Sequence, residues 1–188
     1  MLIGLPVKPF GVAKARLAPL LDARERAALG ISIAARTVGI AAETAEVVVV
    51  TGDDGVAEWA SGLGVAAIPE GPGGLDGAAR AVVDHAGDRP WIVLHADLPR
   101  VTTGDLHAAI EALAENGEVI APSWDGGTSL LGGRGMRPFA YGSGSFHAHL
   151  RRTPRAGVLV RPGLALDLDT PADYRAWMRW SNVRVGGA

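Results

Sequence analysis

The chain has 188 residues, of which 48% are apolar and 20% are charged, and its net charge is −2 at pH 7. This composition is typical of a soluble globular protein with enough chain for one sizeable core, and it lacks the strong positive charge that attracts nucleic acid. Because the sequence contains no cysteine, it excludes disulfide bonds, thiolate metal sites and cysteine nucleophiles.

Strand and helix patterns alternate along most of the chain. Apolar or β-branched runs predict strands, and longer segments with capping residues, such as Asp22 and Gly117, predict helices. The predicted strands cover residues 1–7, 46–51, 65–70, the start of 91–99, and 118–122. The predicted helices cover residues 22–43, 53–63, 74–87, 102–117, 146–152 and 170–180.

The second half of the chain is less regular. The glycine-rich residues 123–145 predict irregular structure, and two short strands are expected between the last two helices. Residues 181–188 are expected to form a loose C-terminal tail. Because no repeat or linker divides the sequence, we expect a single domain over residues 1–180.

The N-terminal stretch MLIGLPVK is too short and interrupted for a signal peptide. No apolar run reaches the ~18 residues that a membrane-spanning helix needs. We therefore expect a cytoplasmic protein with no membrane or nucleic-acid partner. The oligomeric state is left open, with a homodimer as one possibility.

Alternation of strands and helices predicts an α/β fold, in which a mostly parallel sheet carries helices on both faces. In such sheets, ligands bind beyond the carboxyl ends of the strands. This rule points to three segments: the loop from Lys8 to Leu17, the end of residues 91–99, and the glycine-rich residues 123–145.

Three aspartates are candidate metal ligands. Asp97 follows a predicted strand, and Asp167 and Asp169 lie two apart, a spacing that puts both on one face of a strand. A divalent cation would relieve the repulsion among converging carboxylates, and oxygen ligands suit Mg²⁺. The structural alternative is that Asp169 caps the helix that begins at Pro171, and that Asp97 caps a turn.

The first loop carries positive charge. It contains Lys8 and Lys14, which are the only lysines of the chain, and Arg16. A basic loop after a strand is a candidate phosphate site, although it matches neither the Walker A pattern nor the Rossmann glycine pattern. The alternative is a solvated surface loop, with the lysine positions reflecting coding bias.

The segments DGGTSLL and YGSGSF offer neutral donors. Glycine lets a ligand approach backbone N–H groups closely, and hydroxyl groups come from Thr128, Ser143 and Ser145. Flexible turns are the alternative interpretation.

Three histidines lie near these segments. His147 and His149 are two apart on a predicted helix, where side chains diverge, so both are expected on the surface. His95 shares the strand face of Asp97 and is a further candidate.

Five motifs, in order along nearly the whole chain, carry a family resemblance: LPVKPFGVAKARLAPLL, LHADLP, DGGTSLL, YGSGSFHAHL and GLALDLDTPADY. Together they resemble the guanylyltransferases of deazaflavin (F-420) coenzyme biosynthesis. That family comprises CofC, which uses 2-phospho-L-lactate, and FbiD, which uses phosphoenolpyruvate, within the larger group of MobA-like nucleotidyltransferases.

The resemblance implies a three-layer α/β/α nucleotidyltransferase fold, Rossmann-like and of the GT-A or MobA type. It also implies transfer of GMP from GTP to a phosphorylated three-carbon acid, with release of pyrophosphate and with Mg²⁺ as the cofactor. The acid would be phosphoenolpyruvate or 2-phospho-L-lactate.

The resemblance also implies roles for individual residues. Lys8 is similar to an acceptor-binding residue, and together with Asp97 it is the predicted catalytic group. The implied metal ligands are Asp97, Asp167 and Asp169. The implied ligands of the acceptor's carboxylate are Thr128, Gly142 and Ser145. Lys14 and Arg16 are expected to face the triphosphate.

Three positions depart from the family pattern. Many relatives have Asn where this chain has Asp76 or Ser129, and proline is usual where it has Ser143. If the first two positions lie near the nucleotide, they put recognition of its base or ribose in doubt. Two alternatives therefore stay open: a related nucleotidyltransferase that acts on a molybdenum cofactor or a sugar phosphate, and a nucleotide-binding module without turnover.

Overall fold

A seven-stranded sheet forms the centre of the protein in the computed structural model, which describes residues 1–182. The strands lie in the order β3-β2-β1-β4-β6-β5-β7. Along the chain they are β1 (Leu2–Pro6), β2 (Glu46–Thr51), β3 (Ala66–Pro69), β4 (Trp91–Leu94), β5 (Val119–Pro122), β6 (Thr128–Gly133) and β7 (Gly157–Val158). All neighbouring strands are parallel except β6, which runs antiparallel to β4 and β5. The predicted mostly parallel sheet is confirmed.

Helices connect the strands. Along the chain they are α1 (Ala23–Ala42), α2 (Asp54–Gly62), α3 (Leu75–Ala86), α4 (Thr103–Asn116), α5 (Ser145–Arg152), α6 (Pro162–Ala165) and α7 (Pro171–Asn182), with a short 3-10 helix at Ala15–Leu17. The predicted cap Asp22 accepts a hydrogen bond from the backbone of Glu25, and Gly117 ends α4 in a left-handed conformation. Within residues 1–182, no helix is both long enough and apolar enough to cross a bilayer.

The side chains of the sheet point alternately into two hydrophobic cores. One core contains Ile3 and Leu5 of β1 together with residues of α1, α2 and α4. The other contains Leu2 and packs against α3 and α5. Because each face of the sheet is covered by helices, the predicted three-layer α/β/α fold is confirmed.

The second half of the chain corrects two expectations. The prediction that residues 123–145 are irregular is wrong for residues 128–133, which form β6. This strand has glycine at 132 and 133, which weakens its sequence signal; at Gly132 a Cβ atom would lie 2.9 Å from Val119. Of the two short strands expected after α5, only β7 forms within the described residues, because residues 162–165 adopt the short helix α6. Most of the predicted tail, residues 183–188, lies outside the described residues.

Gly4 lets the central strand pack closely against α3. A Cβ atom at this position would lie 2.1 Å from a methyl group of Val82, which is fully buried. We expect Gly4→Ala to lower the free energy of unfolding by about 1–3 kcal/mol, because the added methyl overpacks the core.

Gly39→Ala is the matched control, since Gly39 lies inside α1 and a Cβ atom there has open space around it. It should raise the free energy of unfolding by about 0.5–1 kcal/mol, because alanine favours the helix. Urea unfolding of both variants measures the difference, and equal stabilities would contradict the close contact.

Candidate functional site

A cavity of about 290 Å³ opens beyond the carboxyl ends of β1 and β4. Its charged and polar lining is formed by Lys8, Lys14, Glu70, His95, Asp97, Asp167 and Asp169. Five of the predicted site residues therefore meet at one place. Arg16 borders an adjoining depression, which it shares with Asp167 and Asp169.

Lys14 and Asp97 form the most buried ion pair of the cavity. Lys14 Nζ donates a hydrogen bond to Asp97 Oδ2 at 2.7 Å, and only 7% of the lysine side chain is exposed. Burial alone would raise the pKa of Asp97, but the positive charge and hydrogen bond of Lys14, helped by His95, hold this pKa below its ordinary value. Asp97 is therefore an ionised partner of Lys14, rather than only a cap of the turn that follows β4.

The backbone of Lys14 is strained. Among residues 1–182 it is the one non-glycine residue with a positive φ, at 57°. A left-handed conformation costs a residue with a Cβ atom roughly 1–2 kcal/mol. The ion pair with Asp97 offsets this cost, so the shape of the basic loop depends on a carboxylate that lies 83 positions further along the chain.

Arg16 and Asp169 form a second pair, at 3.0 Å, near the surface. Their side chains are 73% and 40% exposed, so the pair contributes little to stability. The idea that Asp169 caps the last helix is wrong, because Thr170 occupies the cap position. The Thr170 hydroxyl accepts from the backbone of Asp173, and the Asp173 carboxylate accepts from the backbone of Thr170.

Within residues 1–182, Asp167 is the one of the three aspartates that forms no ion pair. Burial, followed by the negative charges of Asp97 and Asp125, raises the pKa of Asp167 to about 7. A backbone hydrogen bond from Leu168 to the carbonyl oxygen of Asp97, at 3.0 Å, ties this extended segment to the end of β4. The described residues contain no group of three acidic or histidine side chains already close enough together to hold a metal ion.

Lys8 lines the cavity from the end of β1 and is exposed to solvent. Among residues 1–182 it forms no ion pair. Its ammonium group is therefore available to an incoming anion, unlike that of Lys14.

Thr128, Gly142 and Ser145 do not line the cavity. Gly142 is exposed, whereas Thr128 and Ser145 are buried and lie within hydrogen-bond distance of each other, at 3.3 Å between the two hydroxyl oxygens. They lie close by, since the backbone N–H of His95, a cavity residue, donates to the carbonyl oxygen of the neighbouring Ser129.

One of the two surface histidines is not on the surface. His147 is exposed as predicted, but the prediction for His149 is wrong, because only 2% of this residue is exposed. His149 and Ser145 lie four apart in α5, so they share the face that packs on the sheet.

A family profile described as "Guanylyl transferase CofC like" matches residues 1–177. The chain belongs to this family. A phosphoenolpyruvate guanylyltransferase of Rubrobacter xylanophilus is 38% identical over 184 residues, which cover 90% of this chain and 89% of that protein. The resemblance found in the sequence is thus confirmed.

Solved structures show the same fold. A Desulfovibrio desulfuricans G20 protein, described as a nucleotide-diphospho-sugar transferase, superposes with a TM-score of 0.81 at 20% identity, over 96% of this chain and 87% of that one. The molybdopterin-guanine dinucleotide biosynthesis protein A of Archaeoglobus fulgidus superposes with a TM-score of 0.57 at 17% identity, over 97% and 100% of the two chains. The fold of this CofC-like guanylyl transferase is therefore that of the MobA-like nucleotidyltransferases.

Two of the three positions that depart from the family pattern form hydrogen bonds within the protein. The Asp76 carboxylate accepts a hydrogen bond from the backbone of Tyr141 at 2.8 Å. The buried Ser129 hydroxyl donates to the carbonyl oxygen of Ala121. Ser143 is exposed. Asp76 and Ser129 thus help to hold the segments around α5 and β6 in place.

Asp167 and Asp97 should affect the stability of the metal-free CofC-like protein in opposite ways. The folded-state pKa of Asp167 is raised from 3.8 to about 7, so its stabilising contribution is complete below 3.8 and is lost as the pH rises through about 7. We expect Asp167→Asn to raise the melting temperature in the presence of a chelator, by more at about pH 8 than at about pH 5.

Asp97→Asn should instead lower the melting temperature at both pH values, because it leaves the buried Lys14 ammonium without its partner. Thermal unfolding of the two variants and the wild type at both pH values measures these effects. A pH-independent effect of Asp167→Asn would show that Asp167 does not titrate as expected.

Proposed function

We propose that this CofC-like guanylyl transferase transfers GMP from GTP to phosphoenolpyruvate and releases pyrophosphate, as a step of F-420 coenzyme biosynthesis. The observation that carries the proposal is the likeness to phosphoenolpyruvate guanylyltransferases along the whole catalytic fold. The cavity supports it, because it is lined by several carboxylates and by Lys8, whose ammonium group forms no ion pair within residues 1–182. The family match and the named relatives favour this reaction over one with a molybdenum-cofactor or sugar-phosphate acceptor.

The reaction joins two anions. A phosphate oxygen of the acceptor attacks the α-phosphorus of GTP, a new P–O bond forms, and the bond to the β-phosphate oxygen breaks as pyrophosphate leaves in line. The attacking oxygen is already negatively charged, so no general base is required. The protein must therefore orient the phosphates and offset their repulsion.

The carboxylates of the cavity fit a divalent cation. Their oxygen-only donor set suits Mg²⁺, and burial, followed by the negative charges of Asp97 and Asp125, raises the pKa of Asp167 to about 7, a cost that a cation would relieve. We assign Asp97, Asp167 and Asp169 as the groups that would hold the ion. When bound, the ion would screen the phosphate charges and orient the transferred group.

Lys14 and Arg16 now pair with Asp97 and Asp169, so a cation at these carboxylates would release both basic side chains. The released groups would face the triphosphate of GTP. In this proposal, one set of charges neutralises the carboxylates before the substrates bind, and the same set binds phosphate afterwards.

The acceptor would bind on the other side of the cavity. Lys8 would neutralise its phosphate, and its carboxylate would be held by Thr128, Gly142 and Ser145. The arrangement suits a small molecule with a phosphate and a carboxylate close together, because Lys8 follows β1, Thr128 begins β6, and only β4 lies between these two strands.

The assay that tests the function measures pyrophosphate from the purified protein with GTP, Mg²⁺ and one acceptor at a time. We expect release with phosphoenolpyruvate, less with 2-phospho-L-lactate, and none when the acceptor or Mg²⁺ is omitted. CTP in place of GTP, and a sugar phosphate in place of the acid, are the controls. Release without any acceptor would indicate a hydrolase, and GTP binding without release would indicate a non-catalytic module.

Lys8 is expected to act through geometry as well as charge. Pro9 restricts the Lys8 backbone to extended conformations, so the direction of its side chain is partly fixed. Arginine keeps the charge, but its guanidinium group is bulkier and planar and needs two partners in one plane. It therefore does not replace the compact ammonium group of Lys8 at the phosphate. We expect Lys8→Arg to lose most of the activity, nearly as much as Lys8→Ala, with a raised KM for the acceptor and an unchanged KM for GTP.

Arg134→Ala is the matched control, because it removes an exposed cation outside the cavity. Steady-state kinetics of the three variants against each substrate measures the effect. Near-normal activity of Lys8→Arg would mean that Lys8 supplies only long-range attraction, and full activity of Lys8→Ala would remove it from the site.

A further inference from the structure

His149 is a buried histidine with two defined hydrogen-bond partners. Its Nε2 atom lies 2.9 Å from the backbone nitrogen of Ala140, and its Nδ1 atom lies 3.0 Å from the hydroxyl oxygen of Thr128. Thr128 Oγ1 in turn lies 3.3 Å from Ser145 Oγ. Hydrogen bonds therefore connect these groups in series, from the loop before α5 to the start of β6.

The contact with Ala140 fixes the tautomer of the imidazole ring. A backbone N–H group can only donate, so Nε2 must accept and cannot carry a proton. The proton of the neutral ring is therefore on Nδ1, and Nδ1–H donates to Thr128 Oγ1. If Nε2 were protonated, its N–H group would face the N–H group of Ala140, and neither donor would have an acceptor.

Electrostatics agrees with this assignment. Burial lowers the pKa of His149 to about 4; Asp76 opposes the shift, while Arg152, Arg137 and His95 reinforce it. The ring is therefore neutral over the ordinary pH range, with its one N–H directed at Thr128.

Counting the hydroxyl hydrogens of Thr128 and Ser145 shows whether this pair can donate a hydrogen bond to a ligand. Thr128 and Ser145 have two hydroxyl hydrogens between them, and their mutual contact uses one, whichever residue donates. Since Thr128 Oγ1 accepts from His149, the remaining hydrogen has no acceptor within residues 1–182. A donor this deeply buried is costly unless an acceptor reaches it.

The other tautomer would remove this donor. If Nδ1 were unprotonated, Thr128 would donate to it and Ser145 would donate to Thr128, so no hydroxyl hydrogen would remain. The hydrogen on Nδ1 thus decides whether the Thr128–Ser145 pair can donate to an anion.

We propose that His149 is a positioning residue that directs one hydroxyl hydrogen of the Thr128–Ser145 pair toward the carboxylate of the acceptor. The inference rests on the proposed function for the identity of the acceptor. The orientation of the ring and of the hydroxyls is a property of the protein before any substrate binds.

The first experiment needs no substrate. Nitrogen-15 NMR of the wild-type protein with labelled histidine separates protonated from unprotonated ring nitrogens, and His149→Asn assigns the signal. We expect a neutral ring with a protonated Nδ1 and an unprotonated Nε2 at about pH 7. The opposite tautomer, or a charged ring, overturns the proposal even if the protein is a guanylyltransferase.

The second experiment measures the acceptor and GTP dependence separately. His149→Leu should raise the KM for phosphoenolpyruvate about tenfold and change the KM for GTP by less than about twofold. His149→Asn should be affected less, because its amide can place an N–H near Thr128. His147→Leu, on the exposed face of the same helix, should match the wild type.

A double-mutant cycle tests whether His149 acts through Thr128. In a Thr128→Val background, His149→Leu should have no further effect on the KM for phosphoenolpyruvate. Additive effects, or equal changes in both KM values, would overturn the positioning role. Failure of the proposed function would look different: the wild type itself would show no turnover with any three-carbon acceptor, while the NMR result would still stand.

Discussion

Repulsion between carboxylates at one edge of the sheet is the constraint on which the rest of the site depends. Asp97, Asp167 and Asp169 border one cavity, and Asp125 adds its charge nearby. The basic loop neutralises two of these groups, through Lys14 and Arg16. Asp167 is left over, and burial, followed by the negative charges of Asp97 and Asp125, raises its pKa to about 7.

The fold brings these charged residues together at one cavity from distant parts of the sequence. The carboxyl ends of β1 and β4 are neighbours in the sheet, so the loop that follows β1 meets the turn that follows β4. The segment before α7 reaches the same edge through the hydrogen bond between Leu168 and Asp97. The left-handed conformation of Lys14 persists because its ion pair with Asp97 offsets the cost.

Much of this architecture can be predicted from the sequence. The features that cannot be predicted lack a local sequence signal, for physical reasons. β-branched runs such as residues 46–51 and caps such as Asp22 are local signals, and the strand-end rule places Lys8 and Asp97 at one edge. The strand β6 is hidden because glycine is poor evidence for a strand. The pairing of Lys14 with Asp97 and the burial of His149 depend on tertiary contacts, which no local pattern contains.

The antiparallel direction of β6 has a consequence for how the site can change. Because β6 runs against β4, its first residue, Thr128, lies at the edge where β4 ends, and the loop before it reaches the cavity side without a crossover helix. The loops before and after β6 can therefore vary in length and composition while the parallel strands β1, β2 and β3 keep their register. The residues proposed to hold the acceptor's carboxylate, Thr128, Gly142 and Ser145, thus lie on a different stretch of chain from the basic loop, so selection can alter recognition of this carboxylate while Lys14 and Arg16 stay unchanged.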